Sequence, residues 1–167
     1  MTRVEPDPER RERRERPLVG VGAVILSDDL GQVLLVERGR PPAVGSWSVP
    51  GGLVERGESL RRACEREVAE ETGLAVELGE VVKVLERVLR DARGEVEYHY
   101  IIVDFLGRVR SGELAPASDV RDARWVPCTD LGGLPTTQGL KSVVARSQEV
   151  ARGEPPRTPL FDELLGP

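Results

Sequence analysis

Apolar and polar positions change rhythm along the chain, and each change predicts an element. Residues 18–26 are an apolar run punctuated by glycine. Ser27, Asp28, Asp29 and Gly31 supply turn chemistry, and residues 32–37 (QVLLVE) return to the apolar pattern, so the two runs read as strands joined in a hairpin. Residues 38–46 are a Gly- and Pro-containing loop, and 47–50 a short extended piece ahead of Gly51-Gly52. Over 58–72 the pattern is helical, with Gly73 as its C-terminal stop. Residues 76–89 are β-branched and charged, which predicts one or two strands. Gly94 marks a turn, and 96–106 (VEYHYIIVDFL) predicts another strand. A loop over 111–122 leads to a short strand at 124–126. A second helix over 137–151 is capped by Thr136 or Thr137 and ended by Gly153. Strands interleaved with two helices predict an α/β fold, with a mixed sheet sandwiched between helices.

The ends carry a different pattern. Residues 2–16 hold six arginines against five acids and almost no apolar side chain. With nothing to bury they cannot offset their ordering entropy, so 1–17 are expected to form a flexible charged arm. The organised domain is then 18–153, and 154–167 a Pro-rich tail. At 167 residues one domain is expected. The formal charge of −5 disfavours nonspecific binding to nucleic acid or a membrane surface. The run 18–26 is far short of a membrane span. No signal-like opening is visible and only Cys64 and Cys128 occur, which together predict a cytoplasmic protein.

The 58–72 helix breaks the rule that acids face water. At about 100° per residue, Leu60, Ala63 and Cys64 share a face with Glu67, and Glu70 and Glu71 flank it. Carboxylates at i, i+3 and i+4 repel one another unless a cation sits among them. Oxygen-only ligands select hard cations such as Mg²⁺ or Mn²⁺ over Zn²⁺. Before the helix, Pro50-Gly51-Gly52 lets the backbone approach a ligand and frees a carbonyl.

From Gly52 the order is five residues, Glu58, seven residues, then Arg66-Glu67-Val68-Ala69-Glu70-Glu71-Thr72-Gly73-Leu74. Each fixed position of the Nudix box is present at its spacing, and the sequence resembles the Nudix hydrolases. The resemblance implies an α/β/α sandwich. It also implies a Mg²⁺-dependent enzyme (Mn²⁺ substituting) that cleaves a nucleoside diphosphate linked to another group by water attack at phosphorus. Glu67, Glu70 and Glu71, with the Gly51 or Gly52 carbonyl, would hold the cations, and Glu58 and Arg66 would orient the glutamates. Within the family the general resemblance leans to an ADP-ribose-like substrate, with sanitising of oxidised nucleoside triphosphates as the enzymatic alternative. A ligand sensor that binds a nucleotide without turnover is the alternative of another class. Relatives are frequently dimers.

Glu67 leads as general base within the box. Many relatives place a base or ligand on a later loop, where Asp119 comes first, Asp122 second and Glu113 third. Arg38 and Arg40 could grip the non-reacting phosphate, and Trp47 could either stack on a base or pack its loop. His99 shares a strand face with Ile101, Val103 and Phe105, while Tyr98, Tyr100, Ile102 and Asp104 face the other way, which predicts a packed or interface histidine. Cys64 is expected in the core, and Cys128 is given no nucleophilic role.

Overall fold

The structure is a computed structural model that describes residues 16–117 and 119–165. The predicted arm therefore lies outside the described residues except for Arg16 and Pro17. In chain order come β1 (Leu18–Ile25), β2 (Gln32–Arg38), β3 (Trp47–Ser48), β4 (Gly51–Leu53), α1 (Leu60–Thr72), β5 (Leu74–Arg90) and β6 (Val96–Gly112). Then follow β7 (Val120–Pro127), a 3₁₀ turn (Leu131–Gly133), α2 (Leu140–Ala151) and β8 (Phe161–Leu165).

The strands form two sheets. A five-stranded mixed sheet has the order β4-β1-β6-β5-β8, and a three-stranded antiparallel sheet the order β3-β2-β7. The predicted β1–β2 hairpin does not form. The two strands meet only at the Leu26–Val33 bridge and then part into different sheets. The Ser27–Asp29 turn is as polar as expected, with Ser27 Oγ donating to the Asp29 carboxylate. Parting lets each strand bury both faces, as its nearly unbroken apolar run requires.

That division makes two cores. Val21, Ala23 and Ile25 pack with Phe105 against Ala63, Cys64 and Val68 of α1. Val24, Val33 and Leu35 pack with Val82 and Leu85 against Leu140, Val143 and Val144 of α2. The alternation along β1 thus decides which helix each residue meets. Helices on opposite sides of the sheets give the expected sandwich.

Local chemistry moves several boundaries. α1 starts at Leu60, since Ser59 is its N-cap and accepts the Arg62 N–H, while the Glu58 carboxylate turns back to the Glu55 N–H. Gly73 ends it as expected, at φ 73° in the left-handed region that glycine enters without steric cost. Leu60 is half exposed at the helix end instead of buried. α2 begins at Leu140 after Gly139, with no side-chain cap from Thr136 or Thr137. The 76–89 run is one long strand with register shifts, and the 111–122 loop narrows to 113–119.

The predicted tail joins the sheet as β8, parallel to β5. The cause is Lys83, which is fully buried and donates to Ser142 Oγ and Asp162 Oδ2 at 2.8 Å each, and to the Pro159 carbonyl. Leu164 adds an apolar contact beneath Gly139, at the start of α2.

Candidate active site

The buried positions of α1 are Ala63, Cys64, Val68, Glu71 and Thr72, so a carboxylate occupies a slot in the apolar stripe. Only 7% of Glu71 is exposed, and its Oε2 accepts the Gly51 N–H at 2.9 Å. Burial, opposed by that hydrogen bond and reinforced by the charges of Glu67 and Asp119, pushes its carboxyl up to about 8. Glu67 lies one turn earlier and is also raised, chiefly by burial. Its carboxylate comes so close to Gly52 that a Cβ there would overlap it. Gly52 is thus required by the approach of Glu67 to β4, whereas Gly51 is required by β1, where a Cβ would overlap the Val21 carbonyl.

Arg66 holds the acids in place. Its Nε and Nη2 each donate to the Glu58 carboxylate at 3.0 Å, and its Nη1 donates to Glu67 Oε1 at 2.8 Å and reaches Glu70 at 3.4 Å. The fork on Glu58 keeps that carboxyl below its ordinary value. The repulsion expected on this face is therefore relieved by a guanidinium of the same helix. Glu70 stands apart, half exposed, on the outer side of Arg66. Among the described residues no three acidic, histidine or cysteine side chains gather tightly enough to enclose an ion by themselves. The donors on hand are oxygens only, which suits a hard cation completed by water and substrate oxygens.

Arg66→Lys keeps the charge and loses the fork. Turnover should fall roughly 10–100-fold with the fold intact, as when groups that orient ligands are removed. Steady-state kinetics beside a thermal melt checks this, and a kcat within twofold of the unaltered chain would contradict it.

A cavity of about 420 Å³ opens beside the carboxylates, between the two sheets. Gly51, Gly52, Glu67 and Glu71 line it, together with Arg38, Arg40 and Asp119 from the two loops. The Arg38 Nε donates to the Pro42 carbonyl at 2.9 Å, and Arg40 lies 3.6 Å from the Asp119 carboxylate. Of the three loop acids, only Asp119 lines the cavity. The Asp122 carboxylate accepts the Ala123 N–H within β7, and Glu113 is exposed in the preceding link.

Trp47 lies outside the cavity lining and packs its loop. It is 5% exposed in the α2-side core, with the Arg124 guanidinium 4.2 Å over its ring. Its backbone hydrogen-bonds the Pro135 carbonyl and the Thr137 N–H, fixing the approach to α2. His99 pairs with Glu86 at 3.0 Å and is absent from the cavity lining, and Cys64 is a core thiol that burial pushes up to about 12. Sequence reading missed Arg87 and Asp104 as cavity residues. The signal was period-2 alternation, which puts Lys83, Leu85 and Arg87 on one face of β5 and Tyr100, Ile102 and Asp104 on the facing side of β6.

The NUDIX domain family model matches residues 16–146. An ADP-ribose pyrophosphatase of Methanocaldococcus jannaschii is 36% identical over 119 residues, covering 71% of this chain and 65% of that protein. The chain therefore spans a little under two thirds of that relative's length. A MutT NUDIX hydrolase of Burkholderia pseudomallei superposes with a TM-score of 0.69 at 32% identity, covering 79% of this chain and 98% of that one. An ADP-ribose pyrophosphatase of Streptococcus suis gives 0.63 at 26%, covering 90% and 100%. The box from Gly52 to Leu74, the sandwich around it and a family match over most of the chain place this protein in the NUDIX family.

Proposed function

We propose that the chain is a divalent-cation-dependent pyrophosphohydrolase that cleaves a nucleoside diphosphate derivative, with ADP-ribose as the representative substrate. The observation that carries this reading is the convergence of Glu67, Glu71 and Asp119 with Arg38 and Arg40 on one cavity. Anionic and cationic side chains on one opening suit a ligand that brings phosphate together with metal. Relatives of the ADP-ribose pyrophosphatase type support the choice of substrate.

Glu67, Glu70 and Glu71, with the Gly51 or Gly52 carbonyl, would hold Mg²⁺ or Mn²⁺, Glu70 after swinging in from its place beside Arg66. When bound, the cation neutralises phosphate charge and acidifies the attacking water. Arg38 and Arg40 grip the phosphate that is not attacked. Arg66 and Glu58 keep Glu67 aimed. Asp119 takes the water's proton as its oxygen bonds to phosphorus and the bridging P–O bond breaks. The products are a nucleoside monophosphate and a phosphorylated second group.

Incubation with ADP-ribose, NADH, dNTPs, diadenosine polyphosphates and capped RNA, with Mg²⁺ or with EDTA, tests the reading. AMP and ribose 5-phosphate released only with the cation are expected. Release with EDTA present, or none from any diphosphate, overturns it. Asp119→Asn should lower kcat by about 10²–10⁴-fold, the worth of a positioned base, with little change in KM. A defect confined to Asp122→Asn would move the role there.

A further inference from the structure

Arg87 brings to the cavity a charge that nothing there answers. It lines the opening, and among the described residues it makes no hydrogen bond or ion pair. Of its guanidinium nitrogens only Nε is shut off from solvent, so the two outer nitrogens can be reached. The other arginines of the site are engaged: Arg38 with the Pro42 carbonyl, Arg40 beside Asp119, and Arg66 on Glu58 and Glu67. A half-buried cation without a counter-ion is costly, and an anionic ligand that meets it recovers the cost.

Its neighbours sharpen the point. Arg87 on β5 belongs to the five-stranded sheet and Arg38 on β2 to the three-stranded one, yet both line the same cavity. Burial first, and then the like charge of Arg38, hold the Arg87 guanidinium below its ordinary value. Arg38 also acts on the Glu71 carboxyl, so it stands within electrostatic reach of the acids on one side and of Arg87 on the other. The sheet separates those two ends. Gly51, Gly22 and Asp104 share a row across β4, β1 and β6, at the level where Glu71 accepts the Gly51 N–H. Leu18, Tyr100 and Arg87 share another across β1, β6 and β5. From Gly22 to Leu18 the rows are four residues apart, or about 13 Å along the strand.

We propose that Arg87 is a specificity-determining residue that, with Arg38 on the facing sheet, forms an anion subsite for a second phosphate of the substrate, distinct from the one at the metal. The assignment rests on the nucleoside diphosphate reading of the site and adds to it a demand for charge at the far end of the cavity. An anion between two guanidiniums gains from both and removes their mutual repulsion.

The test is calorimetric binding to the full chain with Mg²⁺, with AMP as the one-phosphate reference. Two ligands add a second phosphate: α,β-methylene-ADP in the chain, whose bridge resists hydrolysis, and adenosine 2′,5′-bisphosphate on the sugar. At least one should bind about 10–100-fold tighter than AMP, the worth of a charge-assisted hydrogen bond, and which one does tells where the second phosphate is carried. Arg87→Met, which keeps the apolar stem, should erase that gain and leave AMP unchanged. Arg87→Lys, which keeps the charge without the fork, should retain part of it. The unliganded methionine variant should melt no lower than the unaltered chain, since an unpaired cation has been removed. No gain from either second phosphate overturns the assignment. So does a gain that survives Arg87→Met, an equal loss for AMP, or a lower melt of the kind a structural arginine would give. Because binding is read apart from turnover, a chain that shows this dependence on Arg87 but cleaves no diphosphate overturns the reaction and not the subsite.

Discussion

Glu71→Gln lowers hydrolysis by about three orders of magnitude and at the same time makes the cation-free protein more stable at pH 8. On the proposed reading the first effect follows from losing an anionic metal ligand, worth several kcal/mol of charge stabilisation in the transition state. The second follows from burial. The native carboxyl titrates at about 8 against an ordinary value of 4.5, so the folded chain holds a proton that the unfolded chain has released between those values. Stability therefore falls as pH rises from about 5 to 8, and the cost at pH 8 is on the order of 4 kcal/mol. Asp104, raised from 3.8 to about 7, acts in the same direction. Glutamine is never charged, and its side-chain oxygen still accepts the Gly51 N–H. Melts in EDTA at pH 5 and pH 8 should show the variant ahead by about 10 °C at the higher pH and nearly level at the lower. A variant that melts lower than the unaltered chain at both values would refute the buried-acid account. Unchanged turnover with Mg²⁺ would remove Glu71 from the metal site.

The second large effect lies far from the chemistry. Asp162→Ala leaves the Lys83 ammonium fully buried without its charge partner. Removing one member of a buried pair costs about 3–5 kcal/mol, since the other stays desolvated. For a chain of this size the melting temperature should drop by about 10 °C. Asp162→Asn keeps a neutral acceptor and should lose less. The effect should reach the cavity as well, because Leu164 of the same strand packs at Gly139 beside Leu85, and Leu85 and Leu140 line the wall. Chemical unfolding of both variants checks the order, and an alanine variant as stable as the unaltered chain would dismiss Lys83 as the anchor of β8.

Much of this was legible in the sequence because the box is local. Its spacing, the helix stop at Gly73 and the misplaced acids all lie within a stretch of 23 residues, Gly52 to Leu74. The alternation in 96–106 also placed Tyr100, Ile102 and Asp104 on one face. Pairings across long separations were not legible. An apolar run reads the same whether β1 pairs with β2 or, as found, with β6 some 80 residues later. Trp47 just ahead of a Pro-Gly-Gly turn reads alike as a stacking platform or a core residue until the Arg124 side chain is seen above it. The 154–167 segment read as a tail because its anchor, Lys83, is a residue type that seldom goes fully inside.

Arg66 has one more consequence. Where metal alone neutralises a set of ligands, removing it unfolds the domain, as in small zinc proteins. This helix carries a built-in substitute for the missing charge. If the site takes magnesium as proposed, chelation should therefore silence the protein without denaturing it, and restored magnesium should revive it with no refolding step. A cell short of the ion would keep its full stock of the protein in reserve.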